Sequence, residues 1–254
     1  NKFKKEMKIS TALLLGTVSA YQAFEESELA FVNWIAKHGK TYGTKEEYNF
    51  RLTNFKRVYK EVQRLNSMNL SSQHDVNWFS DRSEYEMNKL LGDFEVQTDY
   101  KAETIKVPAG YEPAGKDWKA LGKVTPAKDQ GQCGSCWAFA SAEAVEGSEF
   151  AAGRTEVSLS EQQMIECAAS PFTMDSGCQG GTIRKTLNYY VTRMQLSTDS
   201  NYPYTATDTG ACNASLESKQ ESNVTSVNYL ESSVDAFKQA LSTSPIALAV
   251  QADQ

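Results

Sequence analysis

The sequence predicts an α+β protein, because segments with helical periodicity are followed by an apolar segment that suits a strand. Apolar residues recur between Tyr48 and Val62 with steps of 4, 3, 4 and 3 residues, which is a helical stripe. Residues 135–152 are apolar almost all round, as expected of a helix buried in a sizeable core. The run PIALAVQA, residues 245–252, has the composition of a buried strand.

The composition is that of a folded protein without a basic surface. Of the 254 residues, 40% are hydrophobic and 23% are charged. The formal net charge is −6, so we expect no nucleic-acid partner. The length allows one large domain or two domains of ordinary size.

Residues 1–23 are predicted to be a signal peptide. Met7 and Lys8 precede an apolar run, residues 9–20, that ends in small residues and is short for a membrane span. A short buried helix is the alternative interpretation. Because the signal begins naturally at Met7, residues 1–6 are expected to be an upstream artefact, or the true start is missing. We expect passage through the secretory pathway and no membrane attachment after signal removal.

Two helices are predicted ahead of a linker. The pattern over residues 27–40 indicates an amphipathic helix. The second helix opens at Thr44, which forms a capping box with Glu47. Residues 74–81 then suit a short strand or turn.

Residues 97–115 are predicted to be a linker, since proline and glycine stand there among small and polar residues and no apolar period survives. Ser160 and Gln163 form a second capping box beyond it, at the start of a short helix that ends at Cys167. Further helices are predicted over residues 182–195 and 233–241.

The stretch KDQGQCGSCWAFA, residues 128–140, allows three interpretations of Cys133 and Cys136. The spacing fits a redox dithiol, although a secretory signal argues against a cytosolic reductase. A zinc site would need a second closely spaced pair, but Cys167 and Cys178 are eleven residues apart and no histidine follows. We therefore expect neither a metal nor a cofactor. In the third interpretation Cys136 is a nucleophile.

A nucleophilic Cys136 accounts for the most residues at once. At the first turn of a helix, exposed N–H groups and the helix dipole favour an anion and hence the thiolate. The side-chain amide of Gln130 and the N–H of Cys136 would together form a two-donor oxyanion hole. Gly131 and Gly134 let the backbone fold tightly around this point. The five cysteines are an odd number, so at least one thiol is left over.

The segment QGQCGSCWAF resembles the nucleophile segment of the papain-like cysteine peptidases, whose signature is C-G-[SA]-C-[WY]. Four other segments are similar to elements of that family: DW at residues 117–118, LSEQQMIEC at 159–167, GCQGG at 177–181 and YPY at 202–204.

The N-terminal region resembles a cathepsin L-type propeptide. Its E-R-F-N-I-N helix pattern is met at four positions, with Val62 for isoleucine and Val58 in place of the internal asparagine; the matching residues are Glu47, Arg51, Phe55 and Asn66. The G-x-N-x-F-x-D pattern has Asp75 in place of glycine and is otherwise met by Asn77, Phe79 and Asp81.

The resemblance implies a cathepsin L-like zymogen with a papain-like two-lobed fold. It implies a propeptide inhibitor domain over residues 24–96, a maturation cut within 97–115 and a peptidase domain over 116–254. The expected partners are protein or peptide substrates and the chain's own propeptide, which would lie through the cleft as an intramolecular inhibitor. The expected destination is an acidic, lysosome-like vacuole or the extracellular space.

The resemblance also assigns roles to individual residues. Cys136 is the nucleophile and Gln130 the oxyanion donor. Disulfides join Cys133 to Cys178 and Cys167 to Cys212. The expected substrate-binding residues are Gly134, Ser135, Trp137, Gly180, Gly181 and Ile183. The N-glycosylation sequons begin at Asn69, Asn213 and Asn223.

The catalytic base is missing from this assignment. The family places a histidine and then an asparagine roughly 130–150 residues after the cysteine, whereas this sequence continues for 118 residues. Its two histidines, His38 and His74, lie in the propeptide-like region. We therefore expect a truncated, inactive peptidase domain, with the mainly helical lobe present and the β lobe largely missing. The alternative is a non-catalytic product that binds or inhibits related peptidases through its propeptide.

Overall fold

The computed structural model describes residues 25–92, 104–105, 115–155, 157–168, 177–193, 196–217 and 224–250. The predicted signal peptide, most of the linker and the sequon at Asn223 lie outside these residues. The chain divides into two compact units, Asn1–Met87 and Asn88–Gln254. Across the described ranges, no helix is both long and apolar enough to pass through a bilayer.

The N-terminal unit is built on two helices, α1 (Glu26–His38) and α2 (Lys45–Ser67), and the short helix α3 (Glu84–Asn88) follows them. Helix α2 starts at its predicted cap, where Thr44 Oγ1 accepts the N–H of Glu47 at 3.1 Å. The Glu47 carboxylate accepts the N–H of Gly43, one residue before the position that a capping box prescribes.

Aromatic packing holds α1 against α2. Phe31, Trp34 and Phe55 are buried together, and the ring centroids of Phe31 and Phe55 lie 5.1 Å apart. Residues 74–81, expected to be a strand or a turn, end in a turn whose Asn77 carbonyl accepts the indole N–H of Trp34 at 2.9 Å. The core of this unit therefore also fixes the loop after α2.

A bidentate ion pair joins α2 to α3. Arg51 Nη1 donates to both carboxylate oxygens of Glu86 at 2.9 and 2.7 Å, and the Ser83 N–H donates to the same carboxylate. The hydrogen bonds of Arg51 are the main reason that the pKa of Glu86 falls to about 2; burial opposes them, and the hydrogen bonds of Ser83 add to the lowering.

Glu86→Gln is expected to lower the free energy of unfolding of the N-terminal unit by about 1–3 kcal/mol at pH 6, since a charge-assisted pair is lost. The folded-state pKa is depressed, so the stabilisation is present above about pH 4.5 and is lost as pH falls toward 2. The variant should lack this acid dependence. Hydrogen exchange of the α2 amides across that pH range measures both effects.

Glu84→Gln is the matched control, because Glu84 lies in the same helix and its pair with Arg57 is exposed. Equal losses of protection in the two variants would contradict the role assigned to Glu86.

The second unit is rich in helix and has little strand. Its longer helices are α4 (Cys136–Ala151), α5 (Glu161–Cys167), α6 (Ile183–Arg193) and α8 (Val234–Thr243), with a 3₁₀ turn at Gly177–Gln179 and the short helix α7 (Ala214–Glu217). Strands β1 (Thr104–Ile105) and β2 (Tyr229–Leu230) pair in parallel. Helix α4 packs on α5 and α6. The core around it includes Trp137, Ala138, Ala142, Val145, Leu159, Met164 and Ile165.

The strand predicted in PIALAVQA is wrong for the described residues. Residues 245–250 pair with no strand there, and Val250 is 76% exposed. Residues 251 and 252 lie outside the description. The apolar side chains at the end of this run have no layer to bury them, and burial is what makes such a run a strand.

The capping box predicted at Ser160 is only half formed. Ser160 Oγ accepts the N–H of Gln163 at 3.0 Å, as expected. The Gln163 side chain does not reach back, because it is completely buried and its Oε1 accepts the N–H of Ser197 at 2.8 Å. A tertiary partner has replaced the local one.

Candidate active site

Helix α4 begins at Cys136, with Ser135 as its N-cap. Cys136 is the free cysteine of the chain and is partly exposed. Cys133 is bonded to Cys178 and Cys167 to Cys212, the two pairs that the resemblance implies. The disulfide at Cys133 leaves no CxxC dithiol, and the described residues hold no cluster of His, Cys, Asp or Glu suited to a metal ion.

Gln130 lies beside the start of α4, and its side-chain amide is used twice. Nε2 donates to the Cys133 carbonyl at 2.8 Å, which fixes the amide against the loop that leads to Cys136. Nε2 also donates to the carbonyl of Leu90 at 3.2 Å. The donor that the sequence predicts for an oxyanion is therefore occupied by a carbonyl from the predicted propeptide.

The backbone of Gly181, which follows Gly180, lies across residue 92 from Cys136, because Gly92 bonds both. The Trp137 ring is completely buried, its Nε1 donates to the Gly177 carbonyl at 3.2 Å, and the indole lies directly beneath Gly181. A side chain at Gly181 would collide with that ring. Trp137, predicted to bind substrate, thus has no exposed side chain and instead packs against the Gly181 backbone.

The remaining predicted substrate-binding residues are spread around this point. Gly134 is buried, and its N–H donates to the Cys178 carbonyl at 2.9 Å. Ser135 is completely buried and its hydroxyl faces Tyr204. Ile183 is half buried and packs against the hydrophobic core. Its assignment to a specificity pocket stays a prediction.

Three consecutive residues of the predicted propeptide, 90–92, lie in the site, and sequence reasoning did not find this register. Beside the Leu90 contact, the Gly92 N–H donates to Cys136 Sγ at 3.3 Å, and the Gly92 carbonyl accepts the Gly181 N–H at 2.7 Å. A Cβ at Gly92 would run into the Gly134 carbonyl, so this position has no room for a side chain. In the sequence, the glycine at position 92 is the signal for this close contact.

Both histidines belong to the N-terminal unit. The His38 ring packs at 5.2 Å from the Trp34 ring. The backbone N–H of His74 donates to the Asn66 side chain at 2.9 Å, and its ring contacts Ser72. Each imidazole is therefore part of local packing in that unit.

Two segments of the chain match known protein families. Residues 112–254 match the papain family of cysteine proteases, and residues 31–87 match the cathepsin propeptide inhibitor domain. The chain belongs to the papain family of cysteine proteases. The inhibitor segment precedes the protease segment, which is the order of a zymogen.

Curated relatives of this papain-family chain are also cysteine proteinases. It is 32% identical to cysteine proteinase 5 of Dictyostelium discoideum, over 98% of this chain and 72% of the relative. It is 36% identical to the probable cysteine protease RD19B of Arabidopsis thaliana, over 89% of this chain and 65% of the relative. The chain thus spans about two thirds of their length.

Solved precursors share the fold. A digestive procathepsin L2 proteinase from Tenebrio molitor matches with a TM-score of 0.64 and 26% identity, over 76% of this chain and 65% of that one. A recombinant stem bromelain precursor matches with a TM-score of 0.62 and 25% identity, over 77% and 62%.

A buried charge cluster anchors the segment that leads to Gln130. Lys128 Nζ lies 2.8 Å from Glu146 and 2.5 Å from Glu161, and the Glu146 carboxylate also accepts the N–H of Leu159. One cation faces two buried carboxyl groups. Burial raises the pKa of Glu161 to about 7, and Lys128 offsets this only in part.

The stability of the second unit is expected to fall as pH rises from about 4.5 to about 7, because Glu161 must lose a proton that the folded state binds more tightly. A folded-state pKa that is raised contributes stability at low pH, and ionisation removes it. Glu161→Gln should remove this dependence, which amounts to no more than about 3 kcal/mol. Urea unfolding at pH 5 and pH 8 measures it, and an unchanged difference in the variant would contradict this account.

Gly92→Ala is expected to raise the alkylation rate of Cys136 by iodoacetamide about tenfold or more, because a methyl group at this position displaces residues 90–92 from the thiol. Mass spectrometry of the peptide containing Cys136 gives the rate. Gly115→Ala is the control, since a Cβ there meets nothing within 4 Å. Equal rates in wild type and Gly92→Ala would show that residues 90–92 do not shield Cys136.

Proposed function

We propose that this chain belongs to the precursor of a cysteine endopeptidase in which Cys136 is the nucleophile. The observation that carries the proposal is the meeting of Cys136 Sγ, the Gln130 amide and the Gly181 N–H on one three-residue stretch of backbone. An extended substrate offers the same groups as that stretch.

The reaction follows from these groups. The Cys136 thiolate forms a C–S bond to the peptide carbonyl, while the Gln130 amide and the Cys136 N–H stabilise the oxyanion. The C–N bond then breaks as an imidazole protonates the leaving amine. Water hydrolyses the thioester and returns the thiol.

The propeptide over residues 24–96 acts as an intramolecular inhibitor. Its inhibition is supported by the carbonyls of Leu90 and Gly92, which accept from the Gln130 amide and the Gly181 N–H, the donors that a substrate carbonyl would need. Maturation cuts the chain within 97–115 in an acidic compartment and frees the peptidase domain, 116–254.

The imidazole and the orienting asparagine are not supplied by these 254 residues. Both histidines precede Cys136 and serve local packing in the N-terminal unit. In the complete protein, a mainly β lobe would bring the pair across the cleft. The 254 residues alone therefore hold the nucleophile without its base and show no turnover.

The compartment is the secretory pathway, leading to an acidic vacuole or the cell exterior. Two disulfides are typical of an oxidising compartment. Asn69 and Asn213 are both exposed, so their sequons are accessible to glycosylation.

A second candidate function is inhibition of related peptidases in trans. It is favoured by the match of residues 31–87 to an inhibitor domain and by the compactness of the N-terminal unit. The coding sequence after Gln254 separates the two candidates, because a stop codon there in an intact messenger removes the enzyme function from this product.

The test is the pH-dependent activity of the complete gene product. We expect it to process itself at acid pH and then to hydrolyse peptide amides. Cys136→Ala should lower kcat by a factor of about 10⁴ or more, because the covalent route is lost. Cys136→Ala with wild-type turnover would sink the proposal. Robust hydrolysis by the 254-residue chain would instead overturn the placement of the base.

A further inference from the structure

We infer that Tyr204 is a positioning residue for the oxyanion site, an inference that rests on the proposed function. Its hydroxyl donates to the main-chain carbonyl of Gln130 at 2.7 Å and lies 2.8 Å from Ser135 Oγ. Tyr204 therefore contacts both the residue that carries the side-chain oxyanion donor and the N-cap of the helix that carries Cys136.

The direction of the two hydrogen bonds is determined by proton count. A phenol has one proton, and the Gln130 carbonyl can only accept. Tyr204 thus donates to Gln130, and Ser135 must donate to Tyr204. The result is a chain from Ser135 through Tyr204 to Gln130, in which each bond polarises the next.

Because it belongs to this series of hydrogen bonds, the Ser135 hydroxyl does not have the usual role of a serine N-cap. Such a hydroxyl normally accepts an N–H from the first turn of its helix, but Ser135 makes no such bond. In the part of the chain that the structure describes, the N–H groups of Cys136 and Trp137 have no acceptor. They remain available to an oxyanion.

Gln130 is meanwhile held at both ends. Tyr204 fixes its main-chain carbonyl, and the Cys133 carbonyl fixes its side-chain amide at 2.8 Å. The amide is thereby aimed at the position where the Leu90 carbonyl now lies, at 3.2 Å. An oxyanion donor is effective only when it is oriented before the reaction begins. The hydrogen bond from Tyr204 therefore governs how much the Gln130 amide contributes.

The phenol ring is held independently of its hydroxyl. The ring meets that of Phe139 edge-on at a centroid distance of 4.9 Å, and the Tyr204 N–H donates to Asp199 at 3.3 Å. Tyr204→Phe therefore removes the hydroxyl and keeps the packing. Burial raises the pKa of Tyr204, so the hydroxyl remains a donor at neutral and acid pH.

The kinetic test uses the complete gene product. Tyr204→Phe should lower kcat about tenfold, less than the loss of a whole oxyanion donor, with KM within about twofold of wild type. Alkylation of the mature enzyme's Cys136 by iodoacetamide should be unchanged, because that displacement forms no oxyanion. Tyr229→Phe is the matched control and should keep wild-type kcat, since its hydroxyl bonds Asn188 away from the site.

A double-mutant cycle tests whether Tyr204 acts through Gln130. In a Gln130→Ala background, Tyr204→Phe should lower kcat little further, because the donor that it positions is already absent. Full additivity of the two losses would overturn the inference. Equal losses in kcat and in the alkylation rate would also overturn it, since they would indicate a collapsed loop.

A second measurement needs no turnover and uses the 254-residue chain. We expect hydrogen exchange of the Gln130 side-chain amide, followed by NMR, to become about tenfold faster in Tyr204→Phe and to stay unchanged in Tyr229→Phe. If the complete product shows no activity but exchange responds in this way, the proposed function fails while the positioning role stands. Unchanged exchange in Tyr204→Phe overturns the positioning role.

Discussion

The start of α4 is held against the turn at residues 177–181, and the whole candidate site depends on that contact. The Cys133–Cys178 disulfide joins the two segments covalently, and the Gly134 N–H donates to the Cys178 carbonyl. The indole of Trp137 fills the space beneath Gly181. These contacts place Cys136 Sγ and the Gly181 N–H so that a single residue, Gly92, bonds both of them through its backbone.

Inhibition and catalysis are expected to use the same donors. Residues 90–92 engage the Gln130 amide, the Cys136 sulfur and the Gly181 N–H through backbone groups. The absence of a side chain at Gly92 lets this backbone approach closer than a residue with a Cβ could. We therefore expect the segment to compete with substrate by offering the same chemistry, and its removal to expose donors that are already aligned.

Local motifs predicted the parts of this structure that depend on neighbouring residues. Short patterns predicted the helix that starts at Cys136, the cap at Thr44 and the helix that starts near Ser233, where Ser233 Oγ accepts the Ala236 N–H. The missed features depend on partners distant in sequence. Gln163 bonds Ser197 instead of completing its capping box, and the hydroxyl of Tyr204 reaches Gln130, 74 residues away. No local pattern reveals which of several hydrogen-bond partners a buried polar group will have.

The central claim, that Cys136 is the nucleophile of this site, is tested most directly by trapping its acyl-enzyme. The complete gene product is mixed with an activated peptide ester, quenched in acid within the first turnover and digested for mass spectrometry. We expect one acyl group, on the peptide that contains Cys136, and only after residues 90–92 have been released from the site. An acyl group on another residue, or hydrolysis without any acyl-enzyme at Cys136, would contradict it.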